Sequence, residues 1–161
     1  CDWCRCCTCY FNYRRSVMKS LILRHDSFIS EDKCQALIDR FKTKYSLTRK
    51  FRDTIVLGFR DNDIIKYITD TFTFYPFKNI DNMEIVEWPT GSKMTPHRDK
   101  GDIFSWIIYL NDDFEGGETV VDGIKIKPKK GRLVLFSNGF YEHEVKEITK
   151  GTRYTLIAWY K

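Results

Sequence analysis

The sequence predicts a mainly β domain supported by helices, a sandwich or jelly roll, and two observations carry that expectation. Two amphipathic helical patterns lie before residue 77, and beyond residue 80 the chain breaks into eight short β-rich runs separated by Gly, Asp and Pro. Helices first and antiparallel strands afterwards suit a sheet assembly covered by helices. The length, 161 residues, fits one domain. Hydrophobic residues make up 42% and charged residues 30%, which excludes the apolar-poor composition of a disordered chain.

In chain order, Leu21 to Leu23 form a strand candidate and Asp26 to Ser30 a turn. Ser30 is a helix cap, because its hydroxyl can accept from a free N–H of the first turn. Cys34, Leu37, Ile38, Phe41 and Tyr45 then recur at helical spacing. After a charged stretch at 48–63, Ile64, Ile65, Ile68 and Phe72 predict a second helix that packs by one face, ended by Pro76. The strands follow at 83–88, 94–98, 103–110, 117–121, 124–127, 132–136, 142–147 and 153–160. Asp122-Gly123 predicts a two-residue hairpin turn, in which both positions need positive φ. Gly116-Gly117 reads as a turn rather than a phosphate cradle, since no helix start follows it. Lys125, Lys127, Lys129 and Lys130 interleave with Ile124, Ile126 and Pro128, the pattern of the solvated face of an edge strand.

Five of the six cysteines fall in the first nine residues, and only Cys34 lies in the body. Structural zinc sites pair two knuckles a dozen or more residues apart, and this cluster lacks a second half. Residues 1–17 are therefore expected to be a tail outside the fold, with zinc or redox use as the alternative, and residues 18–161 to be the domain. Arg5, Arg14 and Arg15 in that tail supply part of a net charge of only +5. So mild an excess argues against nucleic acid as a partner, with a nucleic-acid role for the basic tail as a distant alternative. No apolar run reaches a membrane span and no signal-peptide stretch opens the chain, so a soluble, cytoplasmic protein with no membrane partner is expected.

The chain has three histidines. His25 reads as a solvated surface residue. His97 stands in His97-Arg98-Asp99, and strand alternation places His97 and Asp99 on one face. His143 lies on another predicted strand. Two imidazoles and a carboxylate from separate strands are the donor set of the facial triad that leaves three positions of an octahedral Fe(II) open. On the next strand Arg153, Thr155, Ile157 and Trp159 share a face. Buried Arg stays charged and clamps a carboxylate with two parallel bonds. Fe(II), Asp99, a dicarboxylate and Arg153 sum to zero charge, which lowers the cost of burying them together.

These pieces resemble the prolyl 4-hydroxylase-like branch of the iron(II)/2-oxoglutarate-dependent dioxygenases. The resemblance rests on HRD at 97–99, YLNDDFEGGET at 109–119, GRLVLFSN at 131–138, His143, GTRYTLIAWY at 151–160 and FISEDKCQALID at 28–39. It implies a double-stranded β-helix, with His97, Asp99 and His143 as metal ligands and catalytic centre and Arg153 on the distal carboxylate of 2-oxoglutarate. It also implies Tyr109 and Trp159 beside that co-substrate, with core packing as the alternative for each. O2 would be the oxidant and ascorbate the reductant that rescues iron oxidised without substrate. The substrate expected is a prolyl residue in a peptide or protein, with a small molecule or free amino acid as the alternative. A non-catalytic jelly roll binding another metal is the competing reading of a different class. The charged stretch 47–63, with Arg49, Lys50, Arg52 and Arg60, is a candidate to fold over the mouth of the barrel and favour acidic substrate neighbours. Where the family carries a tyrosine shortly before the HxD motif, this chain has Trp88 and then Met94-Thr95-Pro96, so that residue's contacts do not transfer. Asp99 itself argues against a halogenase.

Overall fold

The structure is a computed structural model and describes residues 22–72, 80–100 and 104–160, with the side chains of 81 and 82 left aside. Residues 1–17, Leu21 and Pro76, on which readings were made above, lie outside the described residues.

The strands are β1 (Ile22–His25), β2 (Arg49–Phe51), β3 (Thr54–Gly58), β4 (Ile80–Pro89), β5 (Met94–His97), β6 (Phe104–Tyr109) and β7 (Glu115–Gly116). They continue as β8 (Thr119–Val121), β9 (Ile124–Ile126), β10 (Leu133–Phe136), β11 (His143–Val145), β12 (Ile148–Lys150) and β13 (Thr152–Tyr160). The helices are α1 (Glu31–Thr43) and α2 (Asn62–Thr71). Among the described residues β1-β10-β6-β13-β4-β3-β2 form a major sheet, β5-β11-β8-β9 a minor sheet and β12-β7 a short ribbon, every pair antiparallel.

Both helices start on side-chain caps. The Ser30 hydroxyl accepts from the Lys33 N–H and the Asp61 carboxylate from the N–H groups of Asp63 and Ile64. Their apolar stripes, Cys34, Leu37, Ile38 and Phe41 with Ile64 and Ile68, pack on one face of the major sheet. That face is supplied by every second strand residue: Ile85 of β4, Phe104, Trp106 and Ile108 of β6, and Leu156, Ala158 and Tyr160 of β13. Burial holds the Cys34 thiol as the neutral acid and raises its pKa to about 11, so the cysteine behaves as a small apolar side chain. The alternate residues, Ile107 and Tyr109 with Val134 and Phe136, and Val86 and Trp88 with Val145, face the minor sheet. A sheet covered on both faces explains why β6 is buried along its whole length.

All eight predicted strands are present within about three residues of their expected limits, and two further short strands, β7 and β12, lie just outside the expected runs 117–121 and 142–147. The stretch 48–63 differs from expectation. It is neither a loop nor a helix connector but opens with a hairpin, β2 and β3, that ends the major sheet, with Val56 and Leu57 buried. Asp122 and Gly123 both have positive φ and close the β8–β9 hairpin. Strand β9 is an edge, as its lysines suggested, with Lys125 and Lys127 exposed. Lys129 and Arg132 instead hold the Asp26 carboxylate, and the Arg132 guanidinium keeps that carboxyl well below the usual range. His25 is exposed on β1, remote from the other two histidines' strands, as expected.

The glycine pair is demanded by the backbone, with positive φ at both residues where β7 ends. Gly116 has φ +76°, and a Cβ there would collide with the Glu147 carbonyl oxygen just before β12. Gly116→Ala is expected to cost about 2 kcal/mol or more, from left-handed strain plus displaced backbone, and to lower Tm by at least about 4 °C in a thermal melt.

Candidate metal centre

Strands β5 and β11 run antiparallel in the minor sheet, and His143 stands directly opposite His97. Their ring centroids are 4.3 Å apart. Each ring is held by the carbonyl two residues earlier: His97 Nδ1 lies 2.8 Å from Thr95 O and His143 Nδ1 lies 3.2 Å from Tyr141 O. A carbonyl only accepts, so Nδ1 must carry the proton in both rings and Nε2 must present its lone pair. This is how a ligating imidazole is normally oriented from behind. Burial pushes the His143 pKa below its ordinary value, although the Tyr141 carbonyl opposes the shift, and this favours the neutral ring that binds metals. Phe136, with its ring centroid 4.9 Å away, walls the other side of His143.

Asp99 completes the set from a different position than alternation predicted. Strand β5 ends at His97, and Asp99 lies in the segment beyond it. The ladder is broken because the Asp99 N–H donates to Asn138 O at 3.2 Å, which turns the carboxylate back toward the histidines. Its Oδ1 is 3.6 Å from His97 Nε2 and its Oδ2 is 3.8 Å from His143 Nε2. Those distances are too long for hydrogen bonds and suit three donors converging on one ion. The three form the one such cluster among the described residues.

Asn138 was quoted within a motif but not recognised as a site residue. Its Nδ2 donates to Asp99 Oδ2 at 3.0 Å and to Ser105 Oγ at 2.8 Å, from a fully buried position. Only the fold brings it to Asp99, 39 residues earlier. Asn138→Ala should weaken divalent-metal binding by about 10–100-fold, the usual cost of losing a partner behind a ligand, as measured by titration with Mn(II).

Arg153 lies in the facing sheet rather than on a strand adjacent to β11, since the short β12 intervenes and β13 belongs to the major sheet. It is fully buried. Its Nη2 donates to Thr119 Oγ1 at 3.1 Å, while Nε and Nη1 have no hydrogen-bond partner among the described residues. A buried guanidinium with two open donors is costly unless an anion arrives to satisfy it. That is the observation on which a dicarboxylate fits. Tyr109 is also fully buried, and its hydroxyl donates to the same Thr119 oxygen at 2.7 Å. Trp159 lines a cavity of about 260 Å³ together with His97, Asp99, His143, Ile157 and Trp88.

Fold and site together define a jelly-roll oxygenase domain carrying a two-histidine, one-carboxylate donor set. Residues 83–161, which carry His97, Asp99, His143 and Arg153, match the model of the 2OG-Fe(II) oxygenase superfamily. It is 42% identical over 65 residues to human prolyl 3-hydroxylase 2, an alignment that takes in 35% of this chain and 9% of the relative. The chain thus spans about a tenth of the length of that relative. The viral collagen prolyl hydroxylase of Paramecium bursaria Chlorella virus-1, solved with 2OG, superposes with a TM-score of 0.70 at 22% identity, covering 86% of this chain and 93% of that one. A Trichoplax adhaerens prolyl hydroxylase, solved with a peptide of the hypoxia inducible factor oxygen degradation domain, gives 0.72 at 18% identity, covering 97% and 93%. These structures share the jelly-roll fold. The matched superfamily implies Fe(II), 2-oxoglutarate and O2 as the groups this site would take.

Proposed function

We propose that this chain is a dioxygenase domain that hydroxylates a prolyl residue of a peptide or protein. The observation that supports it most is the pairing of two Nε2 lone pairs and the Asp99 carboxylate with a buried guanidinium whose Nε and Nη1 await an anion. His97, Asp99 and His143 would hold Fe(II), and Arg153 the distal carboxylate of 2-oxoglutarate. When bound, iron with 2-oxoglutarate and O2 supplies the oxidation that puts one oxygen atom into a C–H bond and the other into succinate, with release of CO2.

The chain's own residues do the rest. Asn138 keeps the Asp99 carboxylate aimed at the ion. Val56, Val86, Ile157 and Phe136 give the cavity apolar walls that exclude water from the reacting centre. Ascorbate would return iron to the ferrous state after turnover without substrate.

A peptide substrate is favoured by the β2–β3 hairpin, whose Phe51 and Arg52 reach the cavity rim and are exposed. Arg49 is committed to Glu84 at 2.7 Å, so a preference for acidic neighbours would rest on Arg52. The names of the relatives, prolyl hydroxylases, agree with this reading. Peptides with proline in neutral and acidic contexts, incubated with Fe(II), 2-oxoglutarate and ascorbate, should gain one oxygen by mass. Hydroxylation of free proline or another small molecule with no peptide turnover would overturn the substrate assignment.

A further inference from the structure

Trp88 of β4 is buried, and its surroundings give it a definite task. It stands directly across from Arg153 in the β4–β13 register. Its ring centroid is 4.8 Å from the guanidinium carbon, and the Tyr109 ring lies 5.2 Å from the same atom. The cation is therefore held between two aromatic rings. Both rings are tied at their polar ends, Trp88 Nε1 to Thr155 Oγ1 at 3.1 Å and Tyr109 Oη to Thr119 Oγ1 at 2.7 Å. Trp88 is also in the wall of the iron cavity, whereas Arg153 is not. The indole thus touches the guanidinium and also lines the cavity that holds the metal-binding side chains, and its N–H is spent on Thr155.

We infer that Trp88 is a positioning residue for the co-substrate, whose indole fixes and desolvates the Arg153 guanidinium so that this site selects a 2-oxo acid carrying a second carboxylate. The anchored indole offers the cavity no free donor, and selection then falls on the guanidinium that the ring holds in place. Cation–π contact is strongest for tryptophan and grows when the pair is desolvated, as it is here. The inference rests on the reading of Arg153 as the carboxylate clamp and adds the residue that orients it.

The test compares the Mn(II)-loaded protein's affinity for 2-oxoglutarate with that for 2-oxopentanoate, which has the same chain length and no distal carboxylate. Trp88→Leu fills the space without a ring, and Trp88→Phe keeps a ring face. The preference for the dicarboxylate should fall about tenfold in the leucine variant, with 2-oxopentanoate affinity changed less than about twofold, and most of it should return in the phenylalanine variant. Equal loss for both acids, or no loss for either, would overturn the inference. Indole emission gives a second reading that survives if the leucine variant does not fold. In a Trp159→Phe background, which removes the other cavity indole, 2-oxoglutarate should perturb the emission more than 2-oxopentanoate does, and that difference should vanish when Trp88→Phe is added; its persistence counts against Trp88. If the wild type itself shows no preference for the dicarboxylate, the Arg153 clamp fails together with the inference, whereas a wild-type preference unchanged in the variants removes Trp88 alone.

Discussion

Asp99→Ala should abolish 2-oxoglutarate turnover and weaken divalent-metal binding by more than about 100-fold, beyond the 10–100-fold typical of losing a partner behind a ligand. Asp99 would be the one anionic ligand in the set, so its removal takes away both a donor and the charge that offsets the ion. The two imidazoles remain oriented by Thr95 and Tyr141, whose carbonyls do not depend on the aspartate. Fold and thermal stability should change little, because Asp99 is partly exposed and its N–H bond to Asn138 O belongs to the backbone. Mn(II) titration followed by succinate assay separates the two effects. Wild-type metal affinity in the variant would remove Asp99 from the ligand set.

Arg153→Ala should raise the dissociation constant for 2-oxoglutarate by roughly 30-fold to several thousand-fold, the range of about 2–5 kcal/mol for truncating one member of a buried charge pair. The metal should still bind, since Arg153 touches none of the three ligands. A cheap readout is thermal stabilisation by the co-substrate: a ligand raises stability as RT ln(1 + [L]/Kd), so a concentration that protects the wild type should leave the variant's Tm unmoved. Unchanged protection would show that another group holds the distal carboxylate.

His97 and His143 stand on strands of four and three residues and were legible from their motifs, whereas the face of Arg153 was legible because β13 is long and its two faces pack against different layers. Leu156, Ala158 and Tyr160 go to the helices while Arg153, Ile157 and Trp159 go to the other face, where the guanidinium meets Trp88, Tyr109 and Thr119, so alternation along the strand sets the face that carries the arginine. The β2–β3 hairpin was not legible, because Arg49, Lys50 and Phe51 form an exposed edge whose charges mimic a loop. Alternation expected Asp99 on the strand face of His97, whereas β5 ends at His97 and the Asp99 N–H bonds to Asn138 O in the segment beyond it. The contributions of Asn138, Thr119 and Trp88 depend on tertiary contacts 10 to 67 residues apart along the chain, which no local pattern reports.

The account stands most directly on Fe(II)-dependent decarboxylation of 2-oxoglutarate, followed as succinate formed by the purified chain without any added peptide. The wild type should form succinate only when Fe(II) and O2 are both supplied, at a slow uncoupled rate that a productive peptide raises, and His97→Ala and His143→Ala should form none. Succinate formed equally well by both histidine variants, or a wild type that binds Fe(II) and 2-oxoglutarate yet forms none even with the full peptide panel, would contradict it.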